Sequence, residues 1–311
     1  DEIHLIPEQP GYPSYWNRRG GNPANYFEYV TQLKPDYLVL MGPVLRREMF
    51  SIWGETLEKL MSGGTRLVLL GVGAMTYTEA DIQLYRSFLS RFHPTLMVTR
   101  DTDTFNLLGD MAESSCNGID FAFFLSDYFP LLKNDSLANT IALNFDKVPE
   151  PRISINSNLP SDDTTFDFAG DYWQVNFPRF RQVLARSSRY GMFLEGVLFG
   201  GNDNEKIGNY DVVRLDHRPH PLVRVKTYRS PRTLVNDTPY PYLEVYGNAA
   251  LTLTDRVHAA AAALQYGKPA MLFSTSPRVR MLDRLGLTEI VNKPVWLDVE
   301  LLEKEKEKVK N

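Results

Sequence analysis

The stretch from Ala250 to Leu287 leaves few folds open to this chain. Ala250-Leu251-Thr252-Leu253 is a short β run, and Thr254-Asp255-Arg256-Val257-His258 turns at its carboxyl end. Ala259 to Tyr266 is an alanine-rich helix closed by Gly267, and Lys268 to Phe273 is the next strand. Ser274-Thr275-Ser276-Pro277 then opens a helix that ends at Gly286. A strand, a crossover helix and a second strand make a parallel pair. In open α/β sheets, ligands sit outside the carboxyl ends of the strands. Helix N-termini there offer N–H groups and a favourable dipole to an anion. One strand end carries Asp255, Arg256 and His258; the next carries a Ser/Thr cluster with Arg278 behind it. The stretch therefore reads as a site for an anionic small molecule.

The rest of the chain continues the alternation. Ile3 to Ile6 reads as a strand, Pro7 to Arg19 as irregular, and Gly20-Gly21-Asn22-Pro23 as a loop entering a helix that runs to Leu33. Strands are predicted at Tyr37–Met41, Arg66–Leu70, Thr95–Thr99, Thr140–Phe145, Gly191–Phe199 and Asp211–Leu215. Helices are predicted at Glu48–Met61, Thr78–Phe92, Thr102–Leu108, Phe177–Arg189 and Tyr240–Tyr246. Lys133 to Asn139 reads as a linker, and Pro149 to Thr165, rich in Pro, Asn, Ser and Asp, as a loop or insertion. From Asp298 to Lys310, Glu and Lys alternate on a helix, which either packs back on the first domain or presents a solvated face. Two doubly wound α/β domains facing a cleft follow, with the boundary placed between 132 and 133.

Composition excludes several classes. A chain of 311 residues suffices for two domains, and 43% hydrophobic with 23% charged residues is ordinary for a soluble globular protein. A net charge of −4 argues against a nucleic-acid partner. Cys116 is the single cysteine, so no internal disulfide or cysteine-built metal cage can form, which fits a reducing compartment. The histidines show no metal-ligand spacing, and no metal is expected. There is no run of 18 apolar residues and no signal-peptide pattern.

Each candidate has a bland reading beside the functional one. Arg256 suits a carboxylate or phosphate, and His258 can move a proton near neutral pH. Equally, Arg256 can pair with Asp255 and His258 can cap the helix. Ser274, Thr275 and Ser276 read as an anion cradle or as ordinary N-caps. His217 and Arg218, with Arg214 and the arginines that follow, form the most basic segment, either a receiver of phosphate or a solvated loop. Arg100 lies at a strand end with Asp101 as a helix cap. Gly71-Val72-Gly73 is no full dinucleotide fingerprint, and a tight turn explains it. Tyr12, Tyr15, Trp16 and Trp173 can stack on sugar rings or pack in a core.

These patches resemble the polysaccharide pyruvyl transferase family. Asp36-Tyr37-Leu38-Val39-Leu40-Met41-Gly42, Leu69-Leu70-Gly71-Val72-Gly73, Val98-Thr99-Arg100-Asp101 and Gly118-Ile119-Asp120-Phe121-Ala122 are similar to its N-terminal elements. Asp255-Arg256-Val257-His258, Gly267-Lys268-Pro269 and Arg278 with Leu285-Gly286-Leu287 are similar to its C-terminal ones. The resemblance implies two Rossmann-like domains in a GT-B-like arrangement, residues 1–132 on the acceptor side and 133–311 on the donor side. It implies transfer of a pyruvyl group from phosphoenolpyruvate to a sugar of a cell-surface polysaccharide or its lipid-linked precursor, without a cofactor. Arg256 and His258 would be the catalytic pair. Beside that pair, the reading of the residues themselves puts Asp255, Ser274, Thr275, Ser276, Arg278, Arg100, Asn22, Asn25, His217 and Arg218 forward as candidate substrate contacts. A cytoplasmic enzyme reaching the inner face of the membrane through a lipid-linked acceptor is implied. The chain departs from the family at two places: Asn22-Pro23-Ala24-Asn25 stands for Asn-x-Gly-Asp, and Asn144, with Lys147 near, stands for an arginine. The rivals are a GT-B glycosyltransferase using a nucleotide sugar and a non-catalytic saccharide-binding protein. The insertion from Asp146 to Asn209 is where acceptor choice would reside.

Overall fold

The computed structural model describes residues 3, 28–155, 164–186, 191–199, 205–217, 231–274 and 276–310. The chain divides into two compact units, Asp1–Asp120 and Phe121–Asn311. The boundary expected after residue 132 falls inside the second unit. Residues 121–137 are tied there: Ser126 N donates to Gln265 Oε1 at 2.9 Å, and Asn134 N to Asn248 Oδ1 at 2.8 Å. The predicted linker is thus a short 3-10 turn, Asp135–Leu137, bonded to the body of its unit.

The first unit runs α1 (Glu28–Leu33), β1 (Tyr37–Met41), α2 (Arg47–Ser62), β2 (Arg66–Val72), α3 (Glu79–Phe92), β3 (Leu96–Thr99), α4 (Thr102–Leu108) and β4 (Ser114–Asn117). The strands form one parallel sheet in the order β1-β2-β3-β4. β4 was not anticipated, because Ser-Ser-Cys-Asn carries no apolar alternation. Trp53, Leu57 and Leu60 of α2 meet Leu67, Leu69 and Met97 of the sheet and Tyr85 and Leu89 of α3 in one core. Thr78 caps α3 by accepting from Asp81 N, and Asp101 caps α4 by accepting from Thr104 N at 2.7 Å. Of the predicted first strand only Ile3 is described, and the predicted helix entry at 20–23 lies outside the described residues.

The second unit holds β5 (Thr140–Asn144), β6 (Arg152–Ile155), β7 (Thr164–Phe168), β8 (Asp171–Asn176), α6 (Arg179–Arg186), α7 (Gly191–Phe199), β9 (Lys206–Ile207), β10 (Tyr210–Leu215), β11 (Thr233–Leu234), α8 (Tyr240–Asn248), β12 (Leu251–Thr254), α9 (Val257–Gln265), β13 (Ala270–Leu272) and α10 (Val299–Lys310), with α5 (Leu125–Tyr128) at its start. β11-β10-β5-β12-β13 are parallel in that order, and β9 is antiparallel to β10. From β5 the chain builds outward through β10 to β11, then returns to place β12 on the other side of β5. The order reverses between β5 and β12, as in a doubly wound sheet. β12 is buried at all four residues, as parallel strands covered on both faces are. Ala259 to Ala263, all nearly inaccessible, let α9 lie close on the sheet.

Two sequence expectations fail here. Pro149–Thr165 is not simply a loop: β6, β8 and β7 form an antiparallel sheet in that order. It packs Ile153, Phe166 and Trp173 against Ile141 and Leu253 of the central sheet. Trp173, a sugar-stacking candidate, is 0% exposed in that core. Gly191–Phe199, predicted as a strand, is the helix α7. A nine-residue apolar run fits either state, and its Met, Leu, Phe and Glu are not β-branched residues that would favour a strand. The tail helix α10 is not evenly solvated: Lys306 is 1% exposed, bonded to Asp127 at 2.6 Å and Glu303 at 2.9 Å, and Glu305 pairs with Arg284.

Candidate functional site

The reversal point between β5 and β12 holds a buried polar network. Asn144 ends β5 beside Thr254, its register partner at the end of β12. Asn144 Nδ2 donates to Leu215 O of β10 at 2.9 Å and to Asp146 Oδ1 at 3.1 Å. Its Oδ1 accepts from Thr254 Oγ1 at 3.0 Å, and Thr254 Oγ1 accepts from Arg256 N at 2.9 Å. One buried amide therefore fastens three strand ends together.

Asp255 organises the loop after β5. Its carboxylate, 1% exposed, accepts from the backbone N–H groups of Asp146 (3.1 Å), Lys147 (2.6 Å) and Val148 (2.8 Å). Expected as a substrate ligand or the partner of Arg256, it is bound instead to backbone. Arg256 pairs with Asp146: Nε donates to Oδ2 at 2.8 Å, with Asp146 almost inaccessible and the Arg256 side chain 31% exposed. Such a pair aims the guanidinium and leaves part of its donor fork facing outward.

More positive charge surrounds it. The ammonium of Lys147 is held below its ordinary value, first by burial, then by repulsion from Arg256 and Arg278. Those three cations share one neighbourhood. Arg256 stands at the N-cap of α9 without a side-chain cap bond, so His258 lies in the first turn of α9, exposed, and does not serve as its cap. The dipole of α9 adds to the positive potential there. After β13, Ser274 Oγ accepts from Ser276 N at 3.2 Å, and Ser276 caps a 3-10 helix, Pro277–Leu285, through Arg278 N. Ser276 therefore serves as a cap, and Ser274 closes the turn before it. Thr275, Asn22, Asn25 and Arg218 lie outside the described residues.

His217 follows β10, and Tyr246 OH lies 2.9 Å from its Nε2. Tyr242 and Tyr246 meet the imidazole edge-on. Burial depresses its basicity; Asp146 opposes this and Arg256 adds to it, which places His217 within electrostatic reach of the Asp146–Arg256 pair. Burial raises the phenol of Tyr246 well above its ordinary value. Arg214, counted in the basic segment, is buried and bidentate on Glu150, with contacts of 3.0 Å. In the first unit Arg100 is 2% exposed and donates to Asp120 at 3.0 Å. A ligand at Arg100 would have to break that pair. Among the described residues no group of three or more His, Cys, Asp or Glu side chains could hold a metal ion, and no helix is long and apolar enough to cross a membrane.

The structure thus places Arg256, Arg278 and His217 of the predicted set within electrostatic reach of one neighbourhood, with His258 two residues beyond Arg256 in α9. It adds Asp146 and Tyr246, and it gives partners to Asn144 and surroundings to Lys147, which the sequence named only as a departure from the family. Asp146 and Arg256 are 110 residues apart in the chain. Only the strand order brings them together, and no local motif announces it.

A parallel sheet whose strand order reverses between β5 and β12 is of Rossmann-like build, and Arg256, Lys147 and Arg278 share the reversal point. The S. aureus MnaA–UDP co-structure aligns with 99% of this chain and 74% of its own at 11% identity, TM-score 0.50. A Listeria monocytogenes protein assigned as a UDP-N-acetylglucosamine 2-epimerase aligns with 93% of this chain and 69% of its own at 14% identity, TM-score 0.50. These likenesses show a GT-B-like fold. No curated protein sequence matches the chain. The family model for polysaccharide pyruvyl transferase matches residues 7–277. The chain therefore belongs to the polysaccharide pyruvyl transferase family and is a transferase.

Proposed function

We propose that the protein transfers a pyruvyl group from phosphoenolpyruvate to a sugar of a cell-surface polysaccharide or its lipid-linked precursor. The observation that carries this reading is the cluster of Arg256, Lys147 and Arg278 at the reversal point, with His258 in the first turn of α9. A small polyanion needs such fixed positive charge. Arg256, held by Asp146, takes the donor's carboxylate or phosphate. Lys147 occupies the place of the cation that Asn144 does not supply. His258 gives its proton to the enol methylene as positive charge grows on the adjacent carbon. One sugar hydroxyl adds to that carbon, and its proton restores the one His258 gave. The C–O bond to phosphate then breaks, and a second hydroxyl closes the ketal as its proton passes to the departing phosphate.

The donor cations all belong to the second unit. Calorimetry tests the donor. Phosphoenolpyruvate is expected to bind the wild type and not Arg256→Ala, while the variant keeps its thermal midpoint within a few degrees. Binding of UDP- or GDP-sugars alone would overturn the donor assignment and favour glycosyl transfer on the same cations. Retained turnover in His258→Ala would remove that residue from the mechanism.

A further inference from the structure

The helices α6 and α7 turn one ion pair inward and a set of apolar side chains outward. Arg181 and Glu195 are 8% and 2% exposed, and Arg181 Nε donates to Glu195 Oε1 at 2.6 Å. Phe180, Val183, Phe193 and Leu198 stand outward at 68%, 67%, 56% and 63% exposure. Phe180 meets Phe199 edge-on across the two helices, which joins their apolar faces into one patch, and Leu194 and Val197 extend it. A helix pair adapted to water does the reverse, with its apolar stripe inward. Single exposed apolar residues are common, but a contiguous patch marks a surface that meets something.

Charge selects the occupant. Outside the buried Arg181–Glu195 pair, residues 177–199 carry Arg179, Arg186 and Arg189 and no acid, within a chain of net charge −4. Arg179 is exposed where α6 begins. A second copy docked here by two-fold symmetry would oppose like charges. An anionic lipid surface accepts both the arginines and the apolar side chains. α7, with nine residues, is too short to span a bilayer and suits its surface.

We propose that α6 and α7 form a membrane-docking element that lays Phe180, Val183, Phe193 and Leu198 into the headgroup boundary of an anionic bilayer. The inference stands on this patch alone and does not depend on which donor the enzyme uses. Vesicle flotation of the full chain tests it without any substrate. The chain is expected to float with vesicles of equal parts phosphatidylcholine and phosphatidylglycerol, far less with phosphatidylcholine alone, and less at high salt. The double variant Phe193→Ser with Leu198→Ser, and separately Arg179→Glu, should each weaken partitioning by about tenfold. Their thermal midpoints and donor affinity should match the wild type, since these side chains face solvent. Absence of flotation, or flotation equal in the variants, overturns the proposal. So does a dimer in sedimentation equilibrium that the same variants dissociate while vesicles go unbound, which would make a second copy the occupant.

Discussion

At the residue scale, Asp255 shows how a neighbour in sequence need not be the partner in space. Its position beside Arg256 suggested a contact with substrate or an ion pair with its neighbour. Its carboxylate instead collects three backbone N–H groups of the loop after β5. Asp255→Ala would leave buried donors unmet, at a cost of about 2–5 kcal/mol by urea unfolding. Donor affinity should fall with it, because that loop carries Asp146 and Lys147. An unchanged unfolding midpoint would show that water replaces the carboxylate without loss. His217 makes a second residue-level prediction. Burial lowers its folded pKa below the ordinary 6.5. Between those two values the unfolded chain binds a proton that the folded chain refuses. Stability is therefore full above about pH 6.5, declines as the pH falls through that value, and levels off below the folded pKa. His217→Gln, which can still bond to Tyr246, should flatten that decline in thermal scans taken from pH 7.5 to 5, chosen to bracket the ordinary histidine range.

At the element scale, the sequence showed most where local chemistry decides. Thr102–Leu108 was predicted to the residue because Asp101 caps it and Gly109 follows it. The parallel character of both sheets followed from the alternation of apolar runs with periodic helices. Strand order did not, because it depends on which buried faces meet. The pairing of β5 with β12, which makes the site, joins segments more than a hundred residues apart. α7 was misread because its apolar side chains are not turned inward, so burial left no helical period to detect. Gly73 belongs to this scale as well. It closes the end of β2 over the β3–α4 turn, where a Cβ would come within 2.6 Å of Arg100 Nε and 2.8 Å of Asp101 Oδ2. The glycine that could have admitted a ligand admits a buried ion pair and a helix cap instead. Gly73→Ala should destabilise the first unit by about 1–3 kcal/mol, because neither Arg100 nor Asp101 can retreat without losing its partner. Equilibrium urea unfolding measures this, and a neutral result would mean that the Arg100–Asp120 pair moves freely.

At the scale of the whole molecule, the two units keep separate cores, one around Leu57, Leu69 and Leu89 and the other around Ile141, Trp173 and Leu253. Every cation of the candidate donor site belongs to the second unit. A ligand bound there stabilises the folded chain by an amount set only by its concentration and affinity, about 2.7 kcal/mol at a hundredfold excess over Kd. That linkage turns donor identity into a stability measurement that needs no acceptor sugar. Phosphoenolpyruvate should raise the thermal unfolding midpoint of the wild type in a concentration-dependent way. UDP-N-acetylglucosamine should leave it unmoved, and Arg256→Ala should respond to neither. Inorganic phosphate provides the internal comparison, since it offers charge without the carboxylate that the Arg256 fork would also hold. If phosphate shifts the midpoint as far as phosphoenolpyruvate does, the cluster recognises phosphate charge alone. If the nucleotide sugar produces the shift and phosphoenolpyruvate does not, the cations at the reversal point serve a diphosphate, and pyruvyl transfer is not the chemistry of this chain.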